Sequence, residues 1–274
     1  MAMKNILKIM LMMITIFTIA GSAVYAAEIP VSDQDQLITS NDWTEISNLQ
    51  DEMKKEEPDA TIDYDKALKV YVDCNLIKLQ TADTKKLTSA LESANYVWVI
   101  PFKMEKTYGM FTVAKGLPLR EEAKSVLTKA EQEEVKNHAG KWMITEIAEH
   151  TVEPYYDILL EKREALSDCT RVVLVGSQPG MRQPVALGMD DETARIWISL
   201  GYQYPVMEKI PETQNVESGV YSFDSVAEIS DTYIEDSEVS TGVGVQSRSS
   251  MKYVAGIGIC LLYTSPSPRD MRRS

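Results

Sequence analysis

The sequence predicts an α+β fold in which helices pack on antiparallel sheet. Apolar residues recur at helical spacing in some segments, and these alternate with short runs rich in β-branched and aromatic residues. Polar turns join several of the strand-like runs, as in antiparallel hairpins. No strand-like run is followed by the glycine-rich loop and helix that are typical of a parallel nucleotide-binding sheet.

Five segments are predicted to be helical. Segment 43–53 has apolar residues at helical spacing, and Pro58 ends it. The clearest boundary is the capping box of Thr128 and Glu131, which begins a helix that Gly140 ends. The other predicted helices cover residues 64–71, residues 84–93 and a segment that begins at Pro154.

The strand-like runs predict hairpins. Residues 95–102 and 108–115 flank a polar turn at 105–107 and form the clearest one. A further strand is predicted at 141–148, and three more follow at 171–177, 184–189 and 194–201.

A weak internal similarity leaves two interpretations open. Residues 90–100 align with residues 165–175, each passing from an Ala-Leu helix end through a polar turn into an apolar strand. This similarity indicates either two similar helix-plus-hairpin halves, at 60–150 and 151–205, or a generic helix-to-hairpin pattern.

The first 26 residues are predicted to be a signal peptide. Lys4 and Lys8 precede an apolar run, and Val24 and Ala26 place short side chains at the −3 and −1 positions of a cleavage site. The alternative is an uncleaved membrane anchor, but the apolar run is shorter than the ~20 residues that a membrane span needs. Residues 27–211 are therefore expected to form an extracellular α+β domain.

The rest of the chain is predicted to hold this domain away from a membrane. Residues 212–250 are rich in Ser, Thr and acidic residues and predict an extended stalk. Residues 251–259, apolar from Tyr253 onward, predict the start of a transmembrane segment, with a strand returning to the domain as the alternative. Residues 260–274 resemble translated sequencing-adapter DNA and are predicted to be an artefact.

The composition argues against several classes of protein. A net charge of −13 disfavours a nucleic-acid partner, because phosphate binding needs clustered Lys and Arg. Three cysteines exclude a disulfide-dense scaffold and a Cys-rich zinc module. We assign no cofactor and no metal site. The acidic residues around His150 and the acidic turn at 190–192 are the only weak metal alternatives.

Two cysteines leave three interpretations open. Cys74 and Cys169 are expected either to be buried thiols or to form a disulfide, which export would permit. A catalytic Cys169 would need His138 or His150 within hydrogen-bond reach, and the spacing does not demonstrate this. No catalytic residue is therefore assigned.

Aromatic residues in and after the predicted strands are the candidate ligand-binding residues. Alternating aromatic side chains either stack on sugars or pack within a sheet. The four candidates are Trp98, Trp197, Tyr202 and Tyr204.

These observations together predict an exported protein: a membrane-anchored ectodomain of a bacterial cell envelope, with a non-catalytic binding or structural role. Its expected partners are an unidentified envelope or extracellular ligand and the membrane. The alternatives are a hydrolase-like envelope enzyme and a binder of glycans or small ligands that uses an aromatic sheet face.

Overall fold

The computed structural model describes residues 29–234, apart from 177, 179–180, 182, 203 and 213–214, together with residues 251–252. The described chain has mixed α and β structure. Its helices are α1 (Trp43–Ile46), α2 (Gln50–Glu56), α3 (Thr84–Glu92), α4 (Glu121–Lys124), α5 (Lys129–His138), α6 (Tyr155–Glu161) and α7 (Phe223–Ile234). Its strands are β1 (Thr61–Ile62), β2 (Leu68–Val72), β3 (Asn95–Lys103), β4 (Tyr108–Lys115), β5 (Trp142–Thr151), β6 (Arg171–Val175), β7 (Val185–Met189), β8 (Ala194–Ile198), β9 (Asn215–Glu217), β10 (Val220–Ser222) and β11 (Met251–Lys252).

The strands form one mixed sheet in the order β11-β5-β4-β3-β2-β6-β7-β8-β10-β9, with β1 pairing to β3 beyond the end of β2. Two antiparallel blocks meet at the centre, where β2 and β6 run parallel through the pairs Val70↔Leu174 and Tyr71↔Val175. This parallel pair makes the sheet mixed rather than purely antiparallel, and it joins strands from distant parts of the chain.

Both faces of the sheet are covered by apolar clusters. On one face, which we call the α6 face, Ile158 and Leu159 of α6 pack with Val70 and Leu174. The other face, the α3 face, carries one cluster under α3 and α7. A second cluster on this face lies under α1 and α2, where Ile46 and Met53 join Trp98 and Phe111. Because both faces are buried, the central strands are apolar on both sides.

An N-terminal segment, residues 29–37, fills the gap where β2 and β6 diverge; we call it the strap. The Val172 amide donates to the Pro30 carbonyl at 2.7 Å, and the Leu37 amide donates to the Ala67 carbonyl at 3.1 Å. Ile29 and Leu37 are buried. The strap thus bonds to both antiparallel blocks and reinforces a junction that only two residue pairs otherwise make.

The structure does not support two superimposable halves. The units α3-β3-β4 and α6-β6-β7 lie on opposite sides of β2, their first strands run in opposite directions, and their helices pack on opposite faces. The order of strands along the sheet, the direction of the strands and the face that carries the helix are all reversed between the two units. One unit is therefore a mirror image of the other in arrangement, and no rotation superimposes them. The similarity of residues 90–100 and 165–175 therefore does not extend to the arrangement of these two units, and the choice between duplication and a generic helix-to-hairpin pattern stays a prediction.

Most local predictions match the described elements. The capping box of Thr128 and Glu131 is present, and the β3-β4 hairpin covers the predicted runs. The helix predicted at 64–71 is wrong, because this stretch is a 3-10 turn at Tyr64–Lys66 followed by strand β2. Leu68, Val70 and Val72 also alternate, and pairing with β3 selects that period over the helical one.

The C-terminal boundary of the folded unit differs from the prediction. Residues 215–234, predicted as part of the stalk at 212–250, form β9, β10 and α7, with Phe223 and Val226 buried. Met251 and Lys252 pair with β5. Among the described residues, no helix has the length and apolar character needed to cross a bilayer. The predicted signal peptide 1–26 and residues 253–274 lie outside the described residues.

Candidate functional site

A groove of about 560 Å³ lies at the corner where β1 replaces β2 as the partner of β3. Its volume is within the range of small-ligand sites. The residues that line it come from the segment after the strap, from β1 and the turn behind it, from the β3-β4 hairpin and from the start of α6. They are Ile38, Trp43, Thr61, Ile62, Asp63, Tyr64, Asp65, Lys66, Pro101, Phe102, Lys103, Tyr108 and Pro154.

Three half-buried aromatic rings give the groove its apolar surface: Trp43, Tyr64 and Tyr108. The Trp43 and Tyr64 rings meet edge to face at 5.2 Å between centroids. The Tyr64 hydroxyl contacts Met53 Sδ at 3.7 Å, and burial raises the pKa of this hydroxyl. The Trp43 and Tyr64 rings therefore combine a fixed orientation with partly accessible aromatic surface.

Polar side chains form the rim of the groove. Lys66 Nζ donates to Asp157 at 2.8 Å and lies 3.7 Å from Asp63, and the Asp157 hydrogen bond raises the pKa of Lys66. Lys103 is exposed and lies 5.9 Å above the Tyr108 ring. Lys66 is thus neutralised by carboxylates, whereas Lys103 projects from the rim next to an aromatic ring.

Thr61, Lys103 and Tyr108 are direct cross-strand neighbours on β1, β3 and β4. Residues paired in this way lie on the same face of the sheet, about 5 Å apart. A hydroxyl, an ammonium group and a phenol ring therefore stand in one row beside the groove, a spacing that suits a hydroxylated ring.

A buried ionic cluster lies beside the strap on the α3 face. Asp35 accepts hydrogen bonds from Ser32 and Tyr71, both at 2.7 Å, and from Arg171 at 3.1 Å. Lys69 Nζ lies 3.6 Å from the same carboxylate. Burial lowers the pKa of Lys69, and burial next to Asp35 raises the pKa of Tyr71. This cluster joins the strap to β2 and β6.

A second carboxylate, Asp42, fixes the start of α1 to the sheet. Its Oδ2 accepts hydrogen bonds from the Tyr96 hydroxyl at 2.9 Å and from Trp98 Nε1 at 3.0 Å. Burial, followed by the hydrogen bond to Asp42, raises the pKa of Tyr96 to about 12. Lys69 Nζ lies over the Tyr96 and Trp98 rings, at 4.6 and 5.2 Å.

The four aromatic residues predicted to bind ligand lie mainly in the interior. Trp98 and Trp197 are 0% exposed and Tyr204 is 2% exposed. Trp197 stacks on Phe223, and the Tyr204 hydroxyl donates to the Pro184 carbonyl. Tyr202 is partly buried against both faces and meets Tyr155. The structure does not bring these rings together as a surface, because helices and loops cover both faces of the sheet.

Of the alternatives left open for Cys74 and Cys169, the disulfide is not formed, and both are free thiols. Cys169 belongs to the cluster of the α6 face, whereas Cys74 packs against the cluster of the α3 face. Burial raises the pKa of each thiol to about 11. This opposes a nucleophilic role, since the thiolate is the reactive form. The His138 side chain is half-buried at the end of α5, and the His150 side chain lies outside those described.

Both thiols are expected to react at pH 8 about two hundredfold more slowly than an ordinary cysteine, because a pKa near 11 leaves about one thiolate in a thousand. Timed alkylation followed by peptide mapping measures each site separately. Unfolding in guanidinium should make both sites react at the ordinary rate. Rapid alkylation of native Cys169 would contradict the burial of this thiol.

The sequence patterns around the groove residues predict structural roles rather than ligand binding. Trp43 and Tyr64 fall at helical spacing, which predicts core packing, and Tyr108 falls in a hairpin. The pairing of β1 with β3 and the packing of α1 on the sheet bring these segments together. A cluster of aromatic residues next to polar turn residues was the one available signal, and it is not specific.

Among the described residues, no group of three or more His, Cys, Asp or Glu side chains is arranged to hold a metal ion. Comparisons with protein-family models, curated proteins and solved structures found no match to this chain.

Proposed function

We propose that this protein is an exported binding domain that holds a neutral glycan in the groove without changing it chemically. The single observation that carries the proposal is the groove of about 560 Å³, with the half-buried rings of Trp43, Tyr64 and Tyr108 beside polar rim residues. Sugar rings have apolar C–H faces and polar edges. An aromatic surface bordered by hydrogen-bonding groups is complementary to both.

The charge of the protein favours a neutral ligand over an anionic one. Residues 27–211 carry 32 acidic and 21 basic side chains, a net charge of −11. This charge repels polyanions at long range. Within the groove, Asp63 and Asp157 neutralise Lys66, so the local site adds little attraction for an anion.

The cellular setting is part of the same proposal. Export rests on the apolar run and cleavage pattern of residues 1–26, and tethering rests on the apolar run that begins at Tyr253. For the fold class we likewise propose α+β, with helices packed on antiparallel blocks of sheet. Because Met251 and Lys252 pair with β5, this tether would leave the domain at that edge of the sheet.

A hydrolase is the second candidate, because Asp63 and Asp65 both line the groove. Glycoside hydrolysis commonly uses two carboxylates on opposite sides of the scissile bond. These two residues come from one turn, and Asp63 contacts Lys66 at 3.7 Å, an arrangement that suits ligand contact better than acid–base chemistry.

The proposal is tested by calorimetric titration of the purified protein with three neutral hexasaccharides: cellohexaose, xylohexaose and N-acetylchitohexaose. We expect at least one to bind, and Trp43→Ala to weaken its binding about tenfold or more through lost contact area. Tyr221→Ala is the matched control, since Tyr221 is a half-buried ring outside the groove.

Three outcomes would overturn this proposal. The first is failure of all three sugars to bind, and the second is equal weakening by Tyr221→Ala. The third is release of shorter sugars during incubation. Release that disappears in Asp65→Asn would establish the hydrolase instead.

A further inference from the structure

We propose that Asp42 is a positioning residue that holds Trp43 at the wall of the groove. The inference concerns the order of Trp43 in the free protein. Only its ligand-binding arm rests on the proposed function.

Asp42 begins a helix, but its side chain bonds to the sheet rather than to the helix. The Asp42 carbonyl accepts from the Glu45 and Ile46 amides, at 3.1 and 3.0 Å, so this residue begins α1. Aspartate in this position usually accepts from amides of the first helical turn. The Asp42 carboxylate makes no such bond and accepts from Tyr96 and Trp98 of the sheet instead.

This connection is fixed at its other end. Tyr96 and Trp98 are cross-strand neighbours of Tyr71 and Lys69, and Trp98 is fully buried. Lys69 Nζ lies over both rings, and its charge interacts favourably with Asp42. The carboxylate therefore binds to a rigid aromatic pair with a balancing cation nearby.

Trp43, the residue after Asp42, connects this fixed point to the groove. Trp43 follows Asp42 directly and contacts Tyr64 edge to face, and both rings line the groove. Helix α1 has four residues, and Ile46 anchors its far end in the core, so the Asp42 bonds hold the end that carries Trp43. The two bonds of Asp42 therefore set where the Trp43 ring lies.

The test uses acrylamide quenching of tryptophan fluorescence without any ligand. The chain has four tryptophans, and Trp98, Trp142 and Trp197 are all buried, so Trp43 is the most accessible. Asp42→Ala is expected to raise the quenching constant of Trp43 about twofold through local opening. Trp43→Phe in each background isolates the Trp43 signal. Asp33→Ala serves as the control for removal of an exposed carboxylate.

Asp42→Asn keeps an acceptor oxygen and is expected to restore quenching close to the original value. A purely structural role for Asp42 would lower the denaturation midpoint while leaving native Trp43 quenching unchanged, and this result would overturn the inference. If Asp42→Ala does not fold, Tyr96→Phe removes one of the two bonds and should raise quenching by a smaller factor. Unchanged quenching in that variant would also overturn it.

A ligand-binding arm uses the hexasaccharide that binds best. Asp42→Ala is expected to weaken this binding about tenfold, and Asp42→Asn to restore most of it. If no sugar binds the unaltered protein, the proposed function fails while the quenching result still decides the role of Asp42. If sugar binds equally well to Asp42→Ala, the positioning role is overturned.

Discussion

Replacing Asp35 with alanine is expected to lower the free energy of unfolding by about 3–5 kcal/mol. The side chain of Asp35 is 3% exposed and that of Lys69 is 11% exposed. Removing the carboxylate leaves the Lys69 and Arg171 cations next to each other in a poorly hydrated site, and it leaves the Tyr71 hydroxyl without its acceptor. Loss of one member of a buried ion pair costs more than the pair contributes, because the remaining charge stays desolvated.

Urea denaturation of the purified variants measures this change. Asp33→Ala is the matched control, because Asp33 lies in the same 3-10 turn with an exposed side chain, and it should change stability by less than about 0.5 kcal/mol. Asp35→Asn should fall between the two, since an amide still accepts a hydrogen bond. A loss below about 1 kcal/mol for Asp35→Ala would show that water reaches both cations.

Trp197→Ala is expected to destabilise the protein by a similar amount, about 3–5 kcal/mol. Trp197 is fully buried on the α3 face and stacks on Phe223 at 5.6 Å between ring centroids. Truncation removes this contact and leaves a cavity beneath α7. The result would be a less stable fold with ligand binding by the remaining folded fraction unchanged.

Trp43→Ala provides the opposite pattern, with a small loss of stability and a large loss of binding. Thermal denaturation and sugar titration of both variants separate the two roles. If Trp197→Ala leaves stability unchanged but abolishes sugar binding, the interpretation of Trp197 as a core residue is wrong.

The elements that the sequence predicts best are those with a local chemical signal. The capping box at Thr128 needs only residues within one helical turn, and the β3-β4 hairpin needs only its own turn. Strand β2 lacks such a signal, because residues 64–72 satisfy both the helical and the alternating period. Its partner β6 lies about a hundred residues away, and no local pattern reveals that pairing.

The stalk prediction failed at its start for a related reason. Residues 215–234 are acidic on average, and average composition hides the few residues that anchor them. Val220, Phe223 and Val226 are buried and place β10 and α7 on the sheet. Three correctly spaced apolar residues outweigh several solvated carboxylates, because charged side chains on the outer surface cost little.

The candidate binding residues show the same limit. Alternation places Trp98 and Trp197 on one face of the sheet, yet it does not reveal whether that face is covered. The groove depends on segments from the strap region, β1, the β3-β4 hairpin and α6, which meet only in the tertiary structure. The sequence shows the chemical character of each residue, but it does not show which of these residues lie together in the tertiary structure.

The parallel contact between β2 and β6 has a consequence for the newly made chain. The centre of the sheet cannot form until Val70 pairs with Leu174, which is synthesised more than a hundred residues later. During synthesis, β2 presents an open hydrogen-bonding edge that other nascent chains can engage. The newly made chain is therefore exposed to aggregation until its second antiparallel block has been synthesised, and slow translation between β2 and β6 should increase this aggregation.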